Sequence, residues 1–96
     1  MKPRRILDDL EELAAKIGLK VRYESLANDE IEVRSGRCRV GNEEMIIIDR
    51  RLDVGRRLEV LGRELARQDL ESVHMKPYLR TMLSGWGRTN SQDQNG

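Results

Sequence analysis

The stretch Leu61-Gly62-Arg63-Glu64-Leu65-Ala66-Arg67 belongs to a helical pattern in the second half of the chain. Apolar residues recur there at steps of three and four, the spacing of one helical face. They are Val54, Leu58, Leu61 and Leu65. Asp53 precedes the first of them and is a preferred N-cap residue. The pattern predicts a helix from residue 54 to about residue 69.

A second amphipathic helix is predicted at the N-terminus, from Pro3 to Ile17. Proline is tolerated in the first helical turn, and Gly18 followed by Leu19 is typical of a left-handed C-cap with its hydrophobic contact. The apolar stripe consists of Ile6, Leu7, Leu10, Leu13, Ala14 and Ile17. The charged residues between them are expected on the solvent side: Asp8, Asp9, Glu11, Glu12 and Lys16.

The middle of the chain alternates with period two, which predicts strands. We expect strands at 21–23 and 31–33, a turn at Ser35-Gly36 that pairs Val33 with Cys38, and a further strand at Met45–Ile48. The predicted fold class is α+β: a helix, a three- to four-stranded antiparallel sheet, a helix and a short C-terminal helix. The helices are expected to cover one face of the sheet.

The predicted register gives Ile46 and Ile48 a special position. It places Met45 and Ile47 toward the helices and the two isoleucines on the opposite face, for which no helix is left over. An exposed apolar patch marks an interface, so we expect a homodimer or a partner protein there. The alternative is that the segment 78–83 crosses this face and leaves a monomer.

The C-terminal part is predicted to contain a short helix from Pro77 to Leu83. Residues 84–96 are small, polar and rich in glycine, so they are expected to form a disordered tail after a single domain at 1–83. Trp86 in this tail is a candidate anchor, either on the domain itself or on a partner, because aromatic residues dominate binding hot spots.

Composition excludes several classes of protein. The chain has 96 residues, the size of one domain, and 18 Lys and Arg against 17 Asp and Glu, with a net charge of +1. Such a charge provides no general attraction for nucleic acid. The single cysteine, Cys38, cannot form an intramolecular disulfide. No apolar run is long enough to span a bilayer. We expect a cytoplasmic protein without membrane contact.

The segment 61–67 resembles the helix of zinc peptidases, in which two histidines at i and i+4 bind zinc and a glutamate follows the first. With the order helix, strands, helix over residues 3–83, it resembles the ImmA/IrrE-like metallopeptidase family. The resemblance implies that Arg63 and Arg67 occupy the ligand positions and Glu64 that of the general base. Arginine has no lone pair for a metal. A third ligand is expected after the helix, where Glu71 and His74 are available.

These observations predict a non-catalytic interaction or regulatory module with no cofactor or metal, and the resemblance implies a pseudo-metallopeptidase. Pairs such as Glu59 with Arg63 and Glu64 with Arg67 also occur on any solvated helix, where each contributes ~0.2–0.5 kcal/mol. Two alternatives stay open. One is a zinc peptidase with atypical ligands, and the other is weak nucleic-acid binding through Arg56 and Arg57, although interleaved acids make nucleic acid an unlikely partner.

Overall fold

A computed structural model of the protein describes residues 1–25 and 36–95. Its elements in chain order are helix α1 (Pro3–Lys16), strands β1 (Lys20–Glu24), β2 (Gly36–Val40) and β3 (Glu43–Asp49), and helices α2 (Val54–Ala66) and α3 (Pro77–Asn95). The predicted strand at 31–33, the turn at Ser35 and the pairing of Val33 with Cys38 lie outside the described residues.

Helix α1 has the predicted ends. Pro3 lies in its first turn, and Gly18 adopts a positive φ of 82° just after it. The Gly18 N–H donates to the Ala15 carbonyl at 3.1 Å and the Leu19 N–H to the Ala14 carbonyl at 2.9 Å. These two bonds satisfy carbonyls of the last turn and form a Schellman motif. Leu19 is buried behind it, so the chain turns directly from α1 into β1.

The sheet corrects the predicted fold class. Its strand order is β1-β3-β2, and β1 runs parallel to β3, whereas β2 and β3 form an antiparallel hairpin. The prediction of a wholly antiparallel sheet is therefore wrong. Strand β1 pairs with the apolar strand β3 and not with β2, and this pairing aligns Val21 with Ile46 and Tyr23 with Ile48.

The predicted exposure of Ile46 and Ile48 is also wrong. Both side chains are 0% exposed and belong to the main core cluster. Their parallel partners Val21 and Tyr23 pack against the same cluster. The helices thus cover the face that carries Ile46 and Ile48, and Ile47 lies half-buried on the other one. A continuous apolar run has no alternation that would indicate which residues face the helices. Because both isoleucines are buried, they cannot form the homodimer interface that we expected.

Helix α2 begins as predicted, since the Asp53 carboxylate accepts the Arg56 N–H at 2.8 Å. Its side chains Leu61 and Leu65 are fully buried. Helix α3 begins at Pro77 as predicted but continues to Asn95. The segment 84–95 is therefore helical where we expected an unstructured tail. Among the described residues, no helix has the length and apolar character needed to cross a membrane.

Candidate functional site

The zincin-like segment forms the C-terminal half of α2. Arg63 Nε lies 3.5 Å from Glu59 Oε1, and Arg67 Nη1 lies 3.6 Å from Glu64 Oε1. Both arginines at the motif's ligand positions therefore pair with glutamates of their own helix. Arg67 is already the C-cap residue of α2, so the motif ends where the helix ends.

Glu64 differs from an ordinary surface glutamate. Its side chain is 13% exposed, and within the described residues its Oε2 atom is buried without a hydrogen-bond partner. A buried, unsatisfied carboxylate oxygen costs free energy. Glu64, which the predicted resemblance would place at the position of a general base, therefore lies in an unusual environment, and the charged group it pairs with is Arg67.

The expected third ligands do not join this segment into a metal site. Glu71 and His74 are both exposed in the connection between α2 and α3, where the His74 carbonyl accepts a hydrogen bond from Lys16 Nζ at 2.8 Å. In the part of the chain that the structure describes, no three His, Cys, Asp or Glu side chains converge on one point. A zinc site needs about three protein ligands around an open position.

The two arginines at the start of α2, Arg56 and Arg57, differ in exposure. Arg56 is exposed at the start of α2, as predicted for a surface residue. Arg57 is half-buried: its Nε donates to the Leu52 carbonyl at 2.8 Å, its Nη2 donates to the Arg50 carbonyl, and its guanidinium lies 5.2 Å from the centre of the Tyr23 ring. Arg57 therefore holds the loop between β3 and α2, and its donors are used inside the protein.

Trp86 packs on the domain, which was one of its two predicted alternatives. The indole lies against the core cluster and faces Gly62 of α2. A β-carbon on Gly62 would come within 2.6 Å of Trp86 Cη2, far closer than atoms in contact. Gly62, in the zincin-like segment, therefore leaves the space that the indole occupies. We call the contact between Gly62 and Trp86 the Gly62 notch.

A buried carboxylate that sequence analysis missed lies between α1 and the start of α3. Asp9, expected in solvent, is 7% exposed. It accepts hydrogen bonds from the Tyr78 hydroxyl and from Lys76 Nζ at 3.1 Å, with Arg5 at 3.7 Å. The bond from Tyr78 and the Lys76 charge hold the pKa of Asp9 below its usual value. We call these residues the Asp9 clamp. Lys76 and Tyr78 lie 67 and 69 residues from Asp9 in sequence, so no local pattern reveals these two contacts.

The Asp9 clamp borders the wider of two grooves along α1. That groove has a volume of about 770 Å³ and is lined by residues of α1 and by the segment 74–79. Its rim carries charges of both signs, including Glu12, Lys16 and Lys76. Since Lys16 and Lys76 already bind the His74 carbonyl and Asp9, this groove offers few uncommitted polar groups.

The second groove lies between α1 and the edge strand β1. Its volume is about 650 Å³, and it is lined by Glu11 and Ala15 of α1 and by residues 18–23. The Tyr23 hydroxyl donates to Glu11 across its floor, and burial together with this bond raises the pKa of Tyr23. β1 pairs with β3 on one side; on its other side, no described strand pairs with it. This groove, with β1 as one wall, is here called the β1 edge.

Comparison with known proteins gives no match: no family model, no curated protein and no solved structure is significantly similar to the chain. The resemblance to ImmA/IrrE-like metallopeptidases therefore stays a prediction based on residues 61–67 and the order of the elements.

Proposed function

We propose that the protein is a non-catalytic interaction module, a pseudo-metallopeptidase in origin, that binds an extended segment of a partner protein along the β1 edge. The observation that carries this proposal is the side of β1 on which no strand of the described residues pairs, beside a mainly apolar groove. A strand at the edge of a sheet presents unpaired backbone donors and acceptors. A partner strand can satisfy them and place alternate side chains in pockets, which is recognition by strand addition.

The two faces of β1 are suited to this mode of binding. Val21 and Tyr23 point toward the helices with Ile46 and Ile48, whereas Lys20, Arg22 and Glu24 lie on the opposite face. A docked strand would place every second side chain over the apolar groove and the others among these charges. The partner segment should therefore alternate between apolar and charged residues.

The α2 segment supports the non-catalytic part of the proposal. At both positions that the family uses for zinc ligands, the arginines carry permanent charge and pair with Glu59 and Glu64. Water activation by a metal would require ligands in their place. We therefore expect the purified protein to bind no stoichiometric zinc and to cleave no protein substrate.

Elemental analysis after dialysis tests this expectation. A known zinc protein, dialysed and analysed alongside at the same concentration, provides the positive control for zinc retention. About one tightly held zinc per chain in the unaltered protein would contradict the proposal.

Selection from a displayed library of random segments about ten residues long tests the binding mode. We expect selected segments to alternate as described and to shift the amide NMR signals of residues 20–24. Ala15→Arg should abolish their binding, because Ala15 is exposed and the long side chain fills the groove. The matched control Glu12→Arg places the same side chain on the other flank of α1 and should leave binding unchanged. Segments that bind equally to both variants would overturn the proposal.

A further inference from the structure

The five residues of β1 are complementary to themselves. When Lys20-Val21-Arg22-Tyr23-Glu24 is laid antiparallel on a second copy and centred on Arg22, Lys20 lies opposite Glu24 and Val21 opposite Tyr23. Residues directly opposite in an antiparallel pair point to the same face of the sheet. On one face, both Lys20–Glu24 pairs therefore join opposite charges around a central pair of Arg22 residues, and on the helix-covered face apolar residues meet.

We propose that a second copy of this chain docks on the β1 edge in this register and forms a two-fold symmetric homodimer. The inference rests on the proposed function, since it names a partner for the same edge. The two sheets become one continuous sheet in the order β2-β3-β1-β1-β3-β2. Pairing through one self-complementary patch is the usual basis of a two-fold dimer, and it covers the side of β1 on which no described strand pairs.

The central pair places Arg22 opposite Arg22, and like charges in that position are unfavourable. The chain already compensates for this charge. Arg22 Nη2 lies 2.8 Å from Glu24 Oε1, and Lys20 Nζ lies 3.1 Å from Glu43 Oε1 in the same copy. Each cation near the two-fold axis therefore has a carboxylate of its own copy beside it. In the dimer, Glu24 also faces Lys20 of the second copy, so the charges alternate in sign across the junction.

The groove beside β1 provides room for the second copy. Both α1 helices pack on the same face of the joined sheet and approach one another across the axis. The residues that line the groove on this side include Ala15 and Gly18, whose small size keeps the approach open. The apolar pair Val21 and Tyr23 then lies between the two helices, where it is removed from solvent.

Charge reversal at the two ends of β1 tests the register. In Lys20→Glu, the introduced carboxylate faces Glu24 of the second copy, and in Glu24→Lys, the introduced ammonium group faces Lys20. Each variant alone should dimerise about 10-fold more weakly than the unaltered protein, since two cross-strand pairs per dimer change from attraction to repulsion. An equimolar mixture of the two variants combines each introduced charge with its opposite and should form a heterodimer more tightly than either variant pairs with itself.

Light scattering and analytical ultracentrifugation measure these states, and far-UV circular dichroism checks that each variant is folded. Lys2→Glu is the matched control, because it makes the same charge change at an exposed residue outside β1 and should not affect association. Recovery of the dimer on mixing supports the register independently of any effect on folding. If the unaltered protein stays monomeric at high micromolar concentration, the homodimer proposal is wrong. The proposed function would not be affected by that result, because it is tested separately by the binding of library segments. A dimer that is insensitive to both reversals would assign the interface to another surface and overturn the register.

Discussion

Two of the contacts that attach helix α3 to the domain depend on different physics. Near its start, Tyr78 and Lys76 bind the buried carboxylate of Asp9 on α1. Further along the helix, Trp86 lies in the Gly62 notch of α2. The Asp9 clamp depends on charge and hydrogen bonds, whereas the Gly62 notch depends on the absence of a side chain.

This difference determines how each attachment can fail. The Asp9 clamp contains ionisable groups, so it responds to pH and to removal of one charge. The Gly62 notch contains no ionisable group, and it responds to the addition of a single carbon atom. The two contacts also join α3 to different helices, which lets substitutions at one point be measured with the other intact.

The largest effect is expected from Asp9→Asn. The change keeps the shape of the side chain but leaves Lys76 beside a neutral amide, and loss of a charged, buried hydrogen bond should lower the free energy of unfolding by about 2 kcal/mol. Asp8→Asn is the matched control. Asp8 is exposed and pairs with Arg4 at 3.7 Å, so its loss should cost less than about 0.5 kcal/mol. Urea unfolding compares the two, and equal losses would show that the Asp9 clamp does not fasten α3.

A smaller effect is expected from Gly62→Ala, and whether it stabilises or destabilises the protein should depend on Trp86. Overpacking against the indole costs about 1–3 kcal/mol, and alanine returns about 1 kcal/mol of helix propensity. With Trp86 present, Gly62→Ala should therefore lower the free energy of unfolding by about 1 kcal/mol. In a Trp86→Ala background the same change should stabilise by about 1 kcal/mol, because the three nearest atoms to the added carbon belong to the indole.

Gly55→Ala is the control for this double-mutant cycle. Its added carbon meets only Asp53 Oδ1, at an ordinary 3.5 Å, so its effect should be the same with and without Trp86. If Gly62→Ala also has one sign in both backgrounds, Trp86 does not occupy the notch.

The smallest effect concerns pH and separates the two attachments. Burial and the bond to Asp9 raise the pKa of Tyr78 to about 12 from an ordinary value of 10.0. A raised folded-state pKa stabilises below the unfolded pKa, and this stability is lost as pH rises from about 10 through about 12. The unaltered protein should therefore have a higher urea midpoint than Tyr78→Phe at pH below this window, and the difference should disappear across it. Trp86→Ala should show no such difference in pH dependence from the unaltered protein. An advantage that stays constant to the upper end of the window would contradict the role of Tyr78.

Local signals predicted the elements that local interactions form. Pro3, Gly18 and the apolar stripe marked the limits of α1, and Asp53 marked the start of α2, because caps and amphipathic spacing act within a few residues. Pro77 marked the start of α3 for the same reason. Its extension to Asn95 was missed, since Gly85 and Gly87 are weak helix formers and the contact of Trp86 with Gly62 lies far away in sequence.

The contacts of the candidate site residues also divide into those predictable from local spacing and those that depend on the fold. The pairs Glu59 with Arg63 and Glu64 with Arg67 were readable from helical spacing, and the structure contains both. The burial of Asp9 was not readable, because Lys76 and Tyr78 lie 67 and 69 residues away in sequence. The internal role of Arg57 was not readable either, because it depends on the carbonyls of an irregular loop and on Tyr23 of β1. Glycine at position 62 was a possible signal, since an interior helical glycine often has a packing reason.

The sequence by itself determined where α1, α2 and the start of α3 form and which residues cap them, since these depend on neighbours within one or two turns. Only the tertiary structure decided that β1 pairs parallel with β3, that Ile46 and Ile48 face the helices, and that Asp9 is buried. An apolar run such as Met45–Ile48 is compatible with either face and either neighbour. Which strand lies beside it is decided by the packing of α1 and α2 over the whole sheet.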